Sequence, residues 1–284
     1  MKCATSTLHE QLAGQPGFFM SEPKEPNFFS DDEIYARGIQ WYQSLFAGAA
    51  PTDLCGESST HYTKLPTYPE TLSRMQAALP NVKLIYMMRH PIERLISHYI
   101  HEQLEWRMQM PIDEAVERHP ELVVYGCYGM QLEPFLNAYG PENVLPVFFE
   151  RFVRHKQAEL ERVCRFLGYR GQPRYNESWQ PRNVSQERLR KSPLRDAIVN
   201  APVLRTIRRR LIPKSWREKV KRFWQIKERP VLSPETTRRL EEVFDADLAR
   251  LGRWLGIELS CRRFRDVVPE LTPTWSDSFK TLAC

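Results

Sequence analysis

The stretch at residues 82–101 constrains the fold more than any other part of the sequence. Residues 82–88 form a short apolar run, which is the pattern of a strand buried on both faces of a parallel sheet. Pro91 then suits the first turn of a helix, on which apolar residues recur at helical spacing. The stretch therefore predicts a strand that leads directly into a helix, with Arg89 at the carboxyl end of the strand.

This position of Arg89 points to a ligand, because open parallel sheets bind their ligands at the carboxyl ends of the strands. Arginine is permanently charged, and its planar fork of donors suits a phosphate group. Ser97 lies on the helix that follows and adds a hydroxyl. One interpretation is an anion site, and the other is an ordinary strand–helix unit with a surface arginine.

A second anion site is indicated at the start of the chain. Lys2 precedes a run of small, hydroxyl-bearing residues, and Thr5 or Ser6 would cap a helix whose apolar face holds Leu8 and Leu12. Backbone N–H groups, the helix dipole and the lysine ammonium would converge there on an anion. The run lacks the glycines and the Lys-Ser/Thr pair of the nucleotide-triphosphate loop. A common hydroxyl cap is the alternative.

Two further stretches carry candidate chemistry. Lys24 lies in a proline-rich loop that the aromatic residues Phe28 and Phe29 would anchor. Glu57 follows a short predicted strand, and a carboxylate at such an edge can act as a general base near an electrophile. His61 is a second titratable candidate. The alternatives are a solvated lysine, a turn glutamate and a packing histidine.

The size and composition of the chain are those of a globular protein. A length of 284 residues with 42% hydrophobic residues allows one large domain or two small ones. No stretch is apolar enough to span a bilayer, and the first residues lack the apolar segment of a signal peptide. The six cysteines show no metal-binding or redox spacing, which favours reduced thiols. We therefore expect a cytoplasmic protein.

The net charge of +6 arises from one segment, residues 188–229, which holds 15 basic residues against three acidic ones. The rest of the chain carries 26 basic and 32 acidic residues, so the basic character is local. Three interpretations stay open: a solvated helical face, a lid or rim that attracts an anionic acceptor, and a helix at an anionic membrane surface. Nucleic-acid binding is not expected, because no recognised module accompanies the segment.

Periodicity predicts several further elements. Residues 33–46 predict one helix, and residues 143–150 predict a strand that Pro146 pushes towards a sheet edge. A capped C-terminal helix is predicted at residues 233–256. We expect one domain that includes the whole chain, 1–284, with residues 188–230 as a basic and mostly helical insertion or lid.

Taken together, these pieces resemble the sulfotransferases that use 3′-phosphoadenosine 5′-phosphosulfate (PAPS), especially bacterial members similar to the heparan-sulfate enzymes. Residues 2–8 (KCATSTL) resemble the family's 5′-phosphosulfate loop, and residues 24–29 (KEPNFF) resemble its Lys-Glu-x-x-Phe-Phe segment. Residues 56–62 (GESSTHY) are similar to the stretch that bears the catalytic base. The most specific match is residues 89–99 (RHPIERLISHY), which resemble the 3′-phosphate motif Arg-x-Pro-x-x-Arg-x-x-Ser-x-Tyr. The resemblance covers roughly residues 1–259.

The resemblance implies an α/β fold, a P-loop-like doubly wound parallel sheet flanked by helices, with a helical C-terminal portion. It implies that Glu57 takes the proton from an acceptor hydroxyl or amine, with Lys2 and Lys24 near the transferred group. The residues it places around PAPS are Lys2, Cys3, Ala4, Thr5, Ser6, Thr7, Arg89, Ser97 and Arg182. No metal is expected, because a lysine and helix-end amides can supply the positive field.

The sequence departs from the family pattern at two places. The family's first strand normally precedes the phosphosulfate loop, whereas here only Met1 precedes Lys2. Ser58 stands where a lysine often follows the catalytic glutamate. Two alternatives stay open: a P-loop kinase-like phosphotransferase, and an inactive protein that binds anions or a membrane surface. The identity of the acceptor also stays open. Candidates include a carbohydrate, a lipid, a phenol and an amine.

Overall fold

The computed structural model describes residues 2–105, 107–178, 229–277 and 279. Four strands and twelve α-helices follow one another in this part of the chain. They are α1 (Thr5–Ala13), β1 (Phe18–Met20), α2 (Asp32–Tyr35), α3 (Ile39–Ser44), β2 (Leu54–Gly56), α4 (Thr71–Ala78), β3 (Leu84–Met88), α5 (Pro91–Leu104), α6 (Ile112–Arg118), α7 (Glu121–Val124), α8 (Tyr128–Tyr139), β4 (Val144–Phe148), α9 (Phe149–Arg154), α10 (Lys156–Phe166), α11 (Pro234–Leu255) and α12 (Cys261–Val267). Short 3₁₀ turns occupy Thr60–Thr63 and Pro141–Asn143.

The four strands form two parallel pairs. β1 pairs with β2, so that Phe18 lies opposite Leu54, and β3 pairs with β4, so that Leu84 lies opposite Val144. Parallel neighbours require crossover connections, and helices supply them in both pairs. The predicted α/β class, with parallel strands flanked by helices and a helical C-terminal portion, is confirmed.

Helices cover both faces of the β3–β4 pair. Met88 and Phe148 belong to a large core cluster with residues of α5, α8 and α11, whereas Met87 and Val147 belong to a second cluster with residues of α1, α9 and α10. Neighbouring strand residues point to opposite faces, so each strand contributes to both clusters. This arrangement places α1, and the residues before it, against the same strands that lead to Arg89.

The two strand pairs line one cavity of about 670 Å³. β2 contributes to this lining from one pair and β3 from the other. Within the part of the chain that the structure describes, no strand pairs with the second edge of β2 or of β3. Glu57 follows the carboxyl end of β2, and Arg89 follows the carboxyl end of β3. Glu57 lines the cavity, whereas Arg89 is not one of the lining residues.

The predicted single helix at 33–46 is wrong. The structure has two short helices there, α2 and α3, and Gly38 separates them with a φ of +81°. A positive φ is incompatible with continuing the helix, and glycine adopts it without a steric cost. The spacing of the apolar residues therefore predicted helical structure correctly, but it predicted one helix where the structure has two.

The C-terminal helix α11 has defined signals at both ends. Ser233 accepts a hydrogen bond from the N–H of Thr236 at 3.1 Å, which caps the first turn. Gly256 ends the helix in the left-handed conformation, with a φ of +67°. Of the basic segment, residues 188–228 lie outside the described residues, so its insertion, lid and membrane interpretations stay predictions.

None of the helices in the described ranges is long and apolar enough to cross a membrane. The predicted cytoplasmic location stays a prediction. None of the five cysteines in the described ranges forms a disulfide bond.

Candidate active site

The backbone at the start of α1 has an unusual conformation. Lys2 and Ala4 adopt left-handed φ values of +68° and +63°, which are sparsely populated for residues other than glycine. Ala4 is the N-cap of α1 and makes no side-chain cap bond, so the predicted caps by Thr5 or Ser6 are wrong. A left-handed residue followed by helical ones turns successive N–H groups towards one point, which is the anion-binding arrangement called a nest.

Arg89 reaches this start of the chain from the end of β3. Its Nη1 donates to the carbonyl oxygen of Lys2 at 3.4 Å, and its guanidinium lies over the ring of Phe149 at 4.8 Å. Tyr128 fixes the backbone of Arg89, because its hydroxyl donates to the Arg89 carbonyl oxygen at 2.5 Å and accepts from the Arg89 N–H at 3.2 Å. The structure thus brings together the two segments that the sequence marked as anion-binding.

Glu57 lies directly after β2 and lines the cavity. Its carboxylate accepts a hydrogen bond from the N–H of Ser59 at 2.6 Å. Protein atoms enclose the carboxyl group closely, although the cavity leaves the residue partly accessible. Desolvation raises the pKa of Glu57, and this effect outweighs the opposing effect of its hydrogen-bond donors. A carboxylate with a raised pKa is a stronger base than an exposed one.

Ser58 links the Glu57 loop to two other predicted site segments. Lys24 Nζ donates to the Ser58 carbonyl oxygen at 3.4 Å, and the Ser58 N–H donates to the Lys24 carbonyl oxygen at 3.0 Å. His9 of α1 lies with its Nδ1 3.0 Å from Ser58 Oγ. Lys24 also forms an ion pair with Glu25 at 2.6 Å. These contacts place Lys24 and α1 beside the loop that carries Glu57.

The cavity lining also includes residues that sequence reasoning missed. Burial and the charge of Lys24 lower the pKa of His9 to about 4, so its imidazole is neutral at neutral pH. Burial lowers the pKa of Lys64 to about 8. Arg94 is almost fully buried and donates to the carbonyl oxygen of Leu122, while its Nε has no hydrogen-bond partner in the described chain. Only Arg94 had a sequence signal, as the second arginine of the 89–99 motif.

Other sequence-predicted residues lie apart from the cavity or outside the described chain. Ser97 is buried on α5. His61 stacks on Tyr68, with the ring centres 4.8 Å apart, and is not part of the cavity lining. Arg182 lies outside the described residues, and its predicted contact with PAPS stays a prediction. No group of three or more metal-ligand side chains is found in the described ranges.

Comparison with known proteins places the chain in a family. The sequence model described as "Sulfotransferase family" matches residues 32–173, which is half of the chain. This chain therefore belongs to the sulfotransferase family. The matched region includes Glu57, Arg89 and Ser97, whereas Lys2 and Lys24 lie before it.

Curated relatives match about half of the chain. Heparan sulfate glucosamine 3-O-sulfotransferase 3B1 of Mus musculus is 32% identical over 157 residues, covering 51% of this chain and 38% of the relative. Heparan sulfate glucosamine 3-O-sulfotransferase 6 of Homo sapiens is 33% identical over 156 residues, covering 51% and 43%. The matches thus span less than half the length of these relatives.

A solved structure supports the fold over most of the chain. The sulfotransferase from Alicyclobacillus acidocaldarius matches with a TM-score of 0.63 and 23% sequence identity, covering 91% of this chain and 93% of that one. At this level of identity the likeness shows the fold. The likeness in fold therefore reaches well beyond residues 32–173.

Proposed function

We propose that this protein transfers a sulfuryl group from PAPS to a hydroxyl or amine of an acceptor, such as a carbohydrate. The observation that carries the proposal is the contact between Arg89 and the Lys2 carbonyl oxygen, which joins two anion-binding segments beside a cavity lined by Glu57. Membership of the sulfotransferase family favours sulfuryl transfer over the phosphotransferase alternative. It likewise favours an enzyme over an inactive binding protein.

The donor set fits a nucleotide that carries an anion at each end. The nest around Ala4 and the ammonium of Lys2 would hold the 5′-phosphosulfate. Arg89 and Ser97 would hold the 3′-phosphate, as the resemblance of residues 89–99 implies. PAPS supplies an already activated sulfuryl group, so the protein contributes positioning and charge compensation.

Glu57 is the proposed general base. As the acceptor oxygen or nitrogen forms its bond to sulfur, the acceptor proton passes to the Glu57 carboxylate, and the bond from sulfur to the bridging oxygen of the nucleotide breaks. Lys2 would offset the negative charge that develops on this bridging oxygen. Lys24 contacts the carbonyl oxygen of Ser58, the residue after Glu57, and in this proposal it would act on the sulfuryl group or the acceptor.

The names of the relatives support a carbohydrate acceptor. Several are heparan sulfate glucosamine 3-O-sulfotransferases, which act on a sugar of an anionic polymer. A basic segment at residues 188–229 would attract such an acceptor if it lies near the cavity. We therefore rank a sugar hydroxyl first among the acceptors to be screened.

A thermal-shift titration tests the proposed function against its alternatives. Stabilisation by adenosine 3′,5′-bisphosphate without magnesium supports a PAPS-dependent enzyme. A ligand at about 100 times its Kd adds roughly 2.7 kcal/mol to the free energy of unfolding, which gives a readily measured shift. Stabilisation only by ATP with magnesium supports the phosphotransferase, and no response to either nucleotide supports the inactive binding protein.

Arg89→Ala is expected to weaken the binding of adenosine 3′,5′-bisphosphate. Hydrogen bonds to charged groups contribute about 1.5–3 kcal/mol, which corresponds to a roughly 10- to 100-fold loss of affinity. Isothermal titration calorimetry measures the effect. Arg74→Ala serves as the matched control, because Arg74 pairs with Asp32 and belongs to neither anion-binding segment. Equal affinities for the wild type and Arg89→Ala would contradict the role of Arg89.

The acid limb of the pH profile reports on Glu57. A general base works only when ionised, so activity falls as the pH drops through the pKa of Glu57, which desolvation raises above the ordinary value of 4.5. We therefore expect kcat/KM to decline on the acid side with a midpoint above 4.5. The measurement is the transfer rate between pH 4 and 8 at low acceptor concentration. A midpoint at or below the ordinary value would argue against a buried carboxylate base.

A further inference from the structure

Three arginines converge on one glutamate at the end of β3. Glu93, in the first turn of α5, lies 3.4 Å from Arg89 Nη2 and 2.8 Å from Arg265 Nη2. Arg229 Nη2 donates to the same carboxylate. The three guanidinium groups come from three separate parts of the chain: the end of β3, the residues before α11, and α12.

The charges and donors of this cluster exceed what Glu93 can satisfy. Each guanidinium has five N–H donors, whereas one carboxylate offers two oxygens with about four acceptor positions. In the described chain, Glu93 is the ion-pair partner of both Arg229 and Arg265. The nearby Glu150 accepts from the N–H of His90 instead. Three guanidinium charges thus face the carboxylate of Glu93, with Glu150 as a second carboxylate that interacts electrostatically with Arg89. The cluster therefore holds spare donors and an excess of positive charge, which an anion would help to balance.

Arg265 is presented by a firmly packed helix. Phe264 of α12 is fully buried and packs edge-on against Phe148 and His90, with ring centres 5.5 and 5.6 Å apart. The Nε2 atom of His90 lies 3.0 Å from the carbonyl oxygen of Cys261, at the start of the same helix. These contacts fix α12 beside the start of α5, while about two thirds of the Arg265 side chain stays exposed.

The cluster shares a helix face with the predicted 3′-phosphate residues. Glu93 and Ser97 are four residues apart on α5 and hence lie on the same face. Arg89 belongs to both groups, because it pairs with Glu93 and is the first residue of the 89–99 motif. An anion bound by Arg89 at this face would lie within reach of the other two arginines.

We propose that Arg229 and Arg265 join Arg89 in binding the 3′-phosphate of the nucleotide, and that Glu93 holds the three guanidinium groups in place. This inference rests on the proposed function. Arg229 and Arg265 lie outside the family match at residues 32–173, so they add to the binding residues that the motif implies. A phosphate group carries about 1.5 to 2 negative charges at neutral pH and is therefore attracted by the excess positive charge of the cluster.

The consequence is selectivity for a 3′-phosphorylated nucleotide. The test compares two probes, adenosine 3′,5′-bisphosphate and adenosine 5′-monophosphate, by isothermal titration calorimetry. We expect Arg265→Met and Arg229→Met each to weaken the binding of the bisphosphate by roughly 5- to 30-fold, because each removes a charge-assisted contact at a partly exposed site. Binding of the monophosphate should change by less than about twofold, since it lacks the group that these arginines contact.

Arg263→Met is the matched control on the same helix. Arg263 is comparably exposed but pairs with Glu258 and not with Glu93. Its replacement should leave both affinities unchanged. Sulfuryl transfer by the wild type is assayed in parallel, so that the two hypotheses can fail separately.

Several outcomes would overturn the assignment of Arg229 and Arg265. If the wild type transfers sulfuryl groups and either variant loses affinity equally for both nucleotides, or for neither, the assignment is wrong and the proposed function stands. A rise in the KM of the acceptor with unchanged bisphosphate affinity would assign the arginines to the acceptor instead. A wild type that neither transfers sulfuryl groups nor binds the bisphosphate would overturn the proposed function itself, and this assignment with it.

Discussion

Glu57→Gln is expected to reduce the rate of sulfuryl transfer by about 100- to 10,000-fold, the usual contribution of a positioned general base. The glutamine amide cannot accept the acceptor proton, whereas its carbonyl oxygen can still accept the N–H of Ser59 that now bonds to Glu57. Nucleotide binding should stay within about threefold of the wild type, because the predicted anion contacts come from other residues. Single-turnover transfer and calorimetry with adenosine 3′,5′-bisphosphate measure the two effects.

The same substitution should stabilise the fold at neutral pH. A carboxyl group whose pKa is raised in the folded protein binds its proton more tightly there than in the unfolded chain. Its contribution to stability is therefore present at low pH and is lost as the pH rises through the unfolded and then the folded pKa. Glu57→Gln removes this loss, so its midpoint of thermal unfolding at pH 7 should lie above that of the wild type.

Glu25→Gln is a useful control for the loss of activity. Glu25 is also a partly buried carboxylate at this end of the molecule, but it is paired with Lys24 and accepts from Thr60. Burial alone would raise the pKa of Glu25, but the charge of Lys24 and these hydrogen bonds together outweigh it and lower the pKa, so Glu25 is a weak base. If Glu57→Gln retained normal turnover, Glu57 would not be the base. Because Glu25 is the ion-pair partner of Lys24, a loss of activity in Glu25→Gln would report on Lys24 instead.

Local sequence patterns predicted the parts of the site that depend on neighbouring residues. The apolar run, Arg89 and Pro91 together define a strand, its end and the start of a helix, and the structure has β3 and α5 with Arg89 between them. Each step has a local cause: apolar residues favour a buried strand, and proline fits the first helical turn. The resemblance to a known family depended on the order of several such segments.

Contacts between distant segments could not be predicted in this way. Nothing in the sequence near Glu93 indicates that Arg229 and Arg265 lie beside it, because tertiary packing of α12 and α11 brings them there. The contact of His9 with Ser58 joins residues 49 positions apart. The start of α1 was also mispredicted, since Ala4 adopts a left-handed conformation that hydroxyl-capping rules do not anticipate.

The residues that we propose for catalysis and nucleotide binding come from the family-matched region and from segments on both sides of it. The family match at residues 32–173 contains Glu57, Arg89 and Ser97. Segments on either side of it then add charge to the same region: Lys2 and Lys24 before it, and two arginines after it. In our proposals the matched region supplies the base and the first 3′-phosphate contact, while the flanking segments set nucleotide affinity and selectivity.

The second large effect is expected from a buried ion cluster that holds β4 in place. Glu159 of α10 is fully buried, with its carboxylate 2.7 Å from Arg151 Nε and 2.8 Å from Arg162 Nη2. Arg162 also donates to the carbonyl oxygens of Pro146 in β4, at 2.9 Å, and of Pro273 in the C-terminal segment, at 3.2 Å. One carboxylate therefore orients a side chain that joins a helix, a strand and the end of the described chain.

Glu159→Gln should lower the free energy of unfolding by about 3–5 kcal/mol, because removal of one partner leaves two arginines in a buried place without their counter-charge. Urea unfolding at equilibrium measures this change. Glu161→Gln is the control on the same helix, since Glu161 accepts a hydrogen bond from Gln157 at an exposed position, and an exposed substitution of this kind changes stability by less than about 0.5 kcal/mol. A similarly small change for Glu159→Gln would show that the cluster orients these segments without stabilising the fold.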